Sequence, residues 1–346
     1  MIGGSAVAVV LAGLARYLGG GAVPAFLCSA LAVTLLAALV GRSVEQLGDR
    51  FGPGATGVLQ SALGNLPELF ISLFALKAGL VEVVQAALIG SILANLLLVL
   101  GLCFVVGGLR HGTQKLGSGR ARSMSVLMLL SVAALVLPSM ASYVHTPAAG
   151  HEQALSLVVS VVLVLLFCLI LPASLRRGSS RLSTEVAAPH EAPRWSLALA
   201  LGMLVAASLL AAFVSDWFVH ALQPAMAALH ISDAFAGLVI VAIAGNAIEN
   251  VVGVQLAARN QSEYAFSVVV NSPLQIALVL APLLVILSQW LGLAPLTLVF
   301  APMLVLAVAV AVLVTAFITV DGESNWIEGA ALIALYLIVA TAFWWG

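Results

Sequence analysis

The sequence predicts an all-α polytopic membrane protein of about eleven transmembrane helices, ten of them in two inverted five-helix repeats. Three observations carry this. Of 346 residues, 63% are hydrophobic and only 8% charged, against roughly a quarter charged in a soluble domain. Apolar runs long enough to cross a bilayer, about 20 residues each, recur along the chain. Two polar motifs inside those runs repeat at one constant spacing.

The elements follow in order. Residues 3–18 read as a short first span, because the amino terminus has no basic region that would mark a cleaved signal peptide. Spans then fall at 22–47, 54–78, 82–109, 123–143 and 152–172. The polar stretch "SLRRGSSRLSTEVAAPHEAPR", 174–194, divides the chain. Further spans fall at 195–222, 233–260, 263–291, 297–320 and 325–345. Domain boundaries follow: 1–21 a short N-terminal segment, 22–173 a first repeat, 174–194 a cytoplasmic linker, 195–346 a second repeat.

Charge placement supports this threading. Cytoplasmic loops hold the excess Lys and Arg. Alternating from side to side, one face receives Arg42, Arg50, Arg110, Lys115, Arg120, Arg122, Arg176, Arg177, Arg181, Arg194 and Arg259, and the other only Arg16 and Lys77. The basic face is the cytoplasmic one, so the N-terminus and the linker lie inside. A multi-pass protein of a bacterial inner membrane is expected, with the lipid bilayer as its surroundings. The net charge of −1 gives no reason to expect a nucleic-acid partner. A homo-oligomer is left open. Cys28, Cys103 and Cys168 all fall in apolar segments and read as packed thiols, and no CxxC or HExxH spacing suggests a zinc or redox cofactor.

Setting 3–18 aside, five spans lie on each side of the linker. Five is odd, so the second set enters the membrane upside down, an arrangement typical of transporters, with the substrate site where the repeats meet. "GNLPEL" begins at Gly64 and "GNAIEN" at Gly245, an offset of 181; the same offset carries "GSILAN", 90–95, onto "NSPLQI", 271–276. Gly64, Asn65 and Glu68 thus map onto Gly245, Asn246 and Glu249, and Ser91 and Leu93 onto Ser272 and Leu274.

Glu68 and Glu249 each fall near the middle of a span. A charged residue at a helix centre costs about 2.5–3.5 kcal/mol or more, so two of them demand a reason. A built-in partner is not it. Lys77 and Arg259 lie nine and ten positions on, about 13–15 Å away along a helix. Asn65 and Asn246 precede their glutamates by three residues, which puts amide and carboxylate on one face. Ser91 with Asn95, and Asn271 with Ser272 and Gln275, add polar groups on the following helices. Gly64 and Pro67 open the first helix, since proline gives no N–H to the carbonyl of Leu63; Gly245 is followed by Ile248 instead of proline, so a milder second break is expected. The set is all oxygen. It suits a hard cation such as calcium, which takes six to eight oxygen ligands. Either calcium or two protons would neutralise both carboxylates, and competition between them would enforce exchange. Glu68 and Glu249 are therefore expected to bind cation and protons, supported by Asn65, Asn246, Ser91, Ser272, Gln275, Asn95 and Asn271.

These motifs resemble the calcium/proton exchanger family of the calcium/cation antiporter superfamily. Residues 64–101 look like its first alpha repeat, 245–282 like its second, and "DGESNWIEGAALIALYLIVA", 321–340, is similar to its ending. The resemblance implies a sodium/calcium exchanger-like fold with ten core helices. It also implies a site among the four helices carrying the motifs, and a gating pair at 22–47 and 195–222. Asn250 stands where the family motif has histidine, and Asn271–Ser272–Pro273 replaces the usual "GSS".

A sodium-coupled exchanger of the same fold would be helped by a third buried carboxylate, and the fourth motif has Gln275 and Ile276 instead. A passive cation channel needs no inverted pair of broken helices. An enzyme is not expected, because no nucleophile, oxyanion site or catalytic metal set is in view.

Overall fold

The computed structural model describes residues 2–51, 63–181 and 195–345. It is almost wholly helical. The helices are α1 (Ile2–Tyr17), α2 (Ala22–Phe51), α3 (Leu66–Lys77), α4 (Val81–His111), α5 (Ser118–Tyr143), α6 (Glu152–Arg181), α7 (Leu197–Leu229), α8 (Asp233–Gly245), α9 (Ala247–Ala258), α10 (Ser262–Trp290), α11 (Pro302–Thr319) and α12 (Trp326–Ala342). Among the described residues seven helices are long and apolar enough to cross a membrane. The bent pair α8–α9 is long and apolar enough to count as one more if its two arms are taken together, and α1 and α12 are shorter apolar helices. The span expected at 54–78 falls partly on 52–62, outside the described residues, and α3 is its remainder.

The chain divides into two compact units that each draw on both halves of the sequence. The first is Met1–Ala78 with Val164–Leu229, the second Gly79–Leu163 with His230–Gly346. In the first unit α2 packs along α7. Leu39, Val40, Val44 and Leu47 meet Ala200, Leu204 and Ala207, flanked by Trp195 and Met203. Alanines on one helix let the larger side chains of the other sit close. The start of α7 is tied to α2 by side chains: Gln46 Oε1 accepts from Trp195 N at 3.0 Å, and Arg50 donates to the Trp195 carbonyl. Helix α1 lies on α2 through buried Ser5, Ala8 and Ala12, with the Ser5 hydroxyl donating to the Leu35 carbonyl at 3.3 Å. Its last turn meets α7, where Arg16 lies 3.8 Å from Asp216 and Tyr17 stands edge-on to Trp217. Asp216 thus pairs with Arg16, and its other oxygen lies 3.6 Å from His220.

In the second unit, glycines set how close the helices come. A Cβ added at Gly90 of α4 would lie under 3.0 Å from the Leu238 backbone of α8, and one added at Gly237 of α8 equally close to the Val83 carbonyl of α4. Gly101 of α4 and Gly329 of α12 form a second such crossing. Helix α12 starts with a capping box: Asn325 Oδ1 accepts from the N–H groups of Ile327 and Glu328, and the Glu328 carboxylate accepts from Asn325 N. The Glu328 carboxylate thus satisfies an otherwise orphaned donor. A two-residue pair joins β1 (Gln114–Lys115) to β2 (Glu323–Ser324).

Two expectations are corrected. The linker expected at 174–194 begins as helix, because α6 continues to Arg181; "SLRR" contains no proline or β-branched residue to stop it. Residues 182–194 lie outside the described part. The span expected from 297 begins at Pro302, and residues 291–301 are irregular. Leu296, Leu298 and Phe300 are nonetheless fully buried. Irregular backbone at such depth is tolerated only where protein satisfies it. Ser288 accepts from Leu296 N, and Ser156 from Leu298 N. Ser139 accepts from Phe300 N and donates to the Leu298 carbonyl. The Gln85 amide donates to the carbonyls of Thr297 and Val299 at 3.0 and 2.9 Å.

Candidate cation-binding site

The second unit brings four of the expected residues into one buried network. Asn246 sits between α8 and α9 with φ −96° and ψ 22°, outside ideal helical geometry, and the two helices meet there at a 60° bend. Its Nδ2 donates to Ser91 Oγ and to the Ala242 carbonyl, both at 2.9 Å; its Oδ1 accepts from Asn95 Nδ2 at 2.8 Å and from Ser272 Oγ at 3.2 Å. Asn95 Nδ2 also donates to the Ser91 carbonyl at 2.9 Å. Amides and hydroxyls thus join helices α4 and α10 and the α8–α9 break. All four side chains are buried, Asn95 completely. Asn95 Oδ1 has no hydrogen-bond partner among the described residues, which leaves an amide oxygen of the kind that coordinates hard cations.

Gln275 follows Ser272 by three residues on the same helix and is buried, while Asn271 is half-buried. Glu249 lies on α9, three residues after Asn246. Its side chain falls outside the described residues. Gly245 ends α8.

In the first unit the same local geometry recurs. Asn65 precedes α3 with φ −93° and ψ 17°, within a few degrees of Asn246. Gly64 lies in the turn before it, Pro67 occupies the first turn, and Glu68 follows with 6% of its surface exposed. The second break, expected to be the milder, bends its helix by 60° without a proline. Residues 52–62, which precede the first break, lie outside the described part. Lys77 and Arg259 are exposed near the C-terminal ends of α3 and α9, so the bases nearest along the chain to each glutamate sit in solvent-facing positions. Among the described residues no cluster of three or more His, Cys, Asp or Glu could hold a metal ion.

Sequence reasoning missed the π-helical turns. Helix α4 widens into a π turn at Ala94–Val99, α8 at Ala236–Val241 and α10 at Ile276–Leu280. Such turns inside α-helices frequently mark functional sites. The first begins one residue before Asn95 and the third one residue after Gln275, and the offset of 181 carries 94–99 onto 275–280. The repeat spacing was the only sequence signal that linked them.

The chain matches the sodium/calcium exchanger protein family over residues 21–176 and 199–345. It is 36% identical over 334 residues to a Ca(2+)/H(+) antiporter of Aphanothece halophytica, covering 92% of this chain and 89% of that one. It is 38% identical over 320 residues to the Ca(2+)/H(+) antiporter ChaA of Bacillus subtilis, covering 90% and 89%. The solved structure of native YfkE superposes with a TM-score of 0.83 at 35% identity, covering 98% of each chain. With the motif order, the helical architecture and these matches all in agreement, the chain belongs to the sodium/calcium exchanger protein family, within the group of its Ca(2+)/H(+) antiporters.

Proposed function

We propose that the protein is a secondary active antiporter that exchanges calcium for protons by alternating access, and is not an enzyme. Glu68 and Glu249 bind cation and protons in competition. Asn65, Asn95, Asn246, Asn271, Ser91, Ser272 and Gln275 supply amide and hydroxyl groups, and Gly64, Pro67 and Gly245 open the helices. One observation carries this reading: two helix breaks with the same backbone geometry, at Asn65 and Asn246, each present a glutamate three residues on. The antiport activity named for the relatives fits it.

The physical logic is charge compensation. Two bare carboxylates are costly within the membrane. Calcium neutralises both, as do two protons, so only the loaded forms change access. The repeats run over 22–173 and 195–346, after a segment at 1–21, and α2 and α7 act as the gating pair. The protein sits in a bacterial inner membrane with its N-terminus in the cytoplasm. Nothing in the cycle needs more than one copy of the chain.

The test is calcium transport into proteoliposomes across an imposed pH gradient. The wild-type chain accumulates calcium, and Glu68→Gln and Glu249→Gln each abolish accumulation. Full transport by either variant, or uptake that follows a sodium gradient instead of the pH gradient, rejects the proposal.

A further inference from the structure

Helix α9 carries an asparagine that the network does not use. Asn250 is half-buried, and its Oδ1 is closed off from solvent with no hydrogen-bond partner among the described residues. Its direction follows from its neighbours on the helix. On one side is Asn246, whose side chain meets Ser91 and Asn95 of α4 and Ser272 of α10. Seven residues after Asn246, a Cβ added at Gly253 would lie 2.6 Å from Val269 of α10, and 3.2 and 3.7 Å from Cys103 and Val99 of α4. Asn250 N donates to the Asn246 carbonyl at 3.2 Å, so the helical register already runs from Asn246. Residues three and four apart share a helix face. Asn250, four after Asn246 and three before Gly253, therefore faces α4 and α10 as well. Val251 and Val252, on the other side, are exposed. Opposite Asn250 on α4 lies the stretch from Asn95 to Val99, inside the π turn at Ala94–Val99. Asn95 holds a second such oxygen. Its Nδ2 is fixed by the Ser91 carbonyl and by Asn246 Oδ1, so the amide cannot be turned round, and its Oδ1 also has no hydrogen-bond partner among the described residues.

We infer that Asn250 is a further ligand of the transported cation, its amide oxygen joining that of Asn95 in the shell of the calcium ion that the carboxylates neutralise. The inference rests on the calcium/proton reading above. The offset of 181 carries Asn250 onto Leu69, so only the second repeat supplies this oxygen. Packing alone would be served better by leucine, because a buried amide oxygen left without a donor is destabilising; a bound cation removes that cost. The oxygen also discriminates. It is neutral and hard. It stabilises calcium, which takes six to eight oxygens in flexible geometry, but adds nothing to a proton already seated on a carboxylate. Asn250 thus favours calcium over protons in their competition for the glutamates. It also favours calcium over smaller divalent cations such as manganese, which take an octahedral set of six.

The test is calorimetric binding of calcium and of manganese to the purified full chain in detergent. Repeating it in buffers of different ionisation enthalpy gives the protons released per ion as well as the affinities. Asn250→Leu installs the residue of the other repeat. It should weaken calcium binding about tenfold and manganese binding by no more than about threefold, with the protons released per calcium unchanged. Asn250→Asp restores an oxygen at the same place. It should recover calcium affinity once its own carboxyl is ionised, and release more protons per calcium below that pH. Thermal unfolding without cation checks the fold, and Asn250→Ala decides the matter if Asn250→Leu does not fold. Wild-type calcium affinity in Asn250→Leu overturns the inference. So does an equal loss for both ions, which would mean packing alone. A wild-type chain that binds no calcium removes the inference together with the antiport reading, and that result is distinct from a calcium-binding chain indifferent to Asn250.

Discussion

Asn246 is where single-residue chemistry concentrates. Its one amide satisfies Ser91, Asn95, Ser272 and the Ala242 carbonyl, at a point where the chain leaves helical geometry and its backbone needs an external anchor. Hydrogen bonds between membrane helices average about 0.6 kcal/mol each, with a maximum near 1.7. Ser272→Ala, which removes the 3.2 Å bond to Asn246 Oδ1 and a longer one of 3.4 Å from Asn95 Nδ2, should therefore cost about 1 kcal/mol. Asn246→Ala removes four bonds and strands buried partners, and should cost about 2 kcal/mol or more. Unfolding of the purified chain in mixed micelles of rising SDS fraction measures both. Equal losses for the two variants would show that the amide does not organise the network. Asn95→Ala should also weaken calcium binding, because Asn95 Oδ1 is a network oxygen with no donor among the described residues.

At the scale of the helix, close approach decides which packing is possible. Gly90 and Gly237 bring the backbones of α4 and α8 so near that a methyl at either would fall under 3.0 Å from backbone atoms of the other helix. Backbone cannot step aside as a side chain can, so Gly90→Ala and Gly237→Ala should each lose about 1–3 kcal/mol, the range for overpacked sites. Gly202 of α7 has nothing within 4 Å of an added Cβ, and Gly202→Ala should be neutral or stabilising by up to about 1 kcal/mol. Thermal unfolding in one detergent compares the three; equal shifts would contradict the crossing argument. These crossings were not legible in the sequence, because a glycine matters here only through the helix opposite it. The spans were legible, since bilayer thickness sets a length that hydropathy can read: α5, α7 and α10 begin within five residues of where apolar runs place them. The segment 291–301 was not. Its backbone is satisfied by Ser139 and Ser156, well over a hundred positions away, and such partners leave no local trace. The site is an intermediate case. An offset of 181 picks out its candidate residues, and the repeated asparagine geometry fits that offset, but the hydrogen-bond directions and the π turns depend on three dimensions. The Asn-x-x-Glu spacing of the capping box at Asn325–Glu328 is visible in the sequence itself.

For the molecule as a whole, charge balance makes the sharpest demand on the proposed cycle. If calcium and two protons are alternative ways of neutralising Glu68 and Glu249, each turnover carries two charges one way and two back. No net charge then crosses the membrane. Moving one elementary charge through 100 mV is worth about 2.3 kcal/mol, which corresponds to about a 40-fold change in an equilibrium ratio. An exchange of three protons per calcium would move the steady calcium gradient by that factor when 100 mV is imposed. The two-carboxylate cycle should not move it. Proteoliposomes holding a fixed pH gradient, with the potential set by a potassium gradient and valinomycin, separate the cases. A calcium ratio that stays constant as the potential is stepped supports neutralisation by this pair alone. A shift of the larger size would require a further titrating group in the cycle.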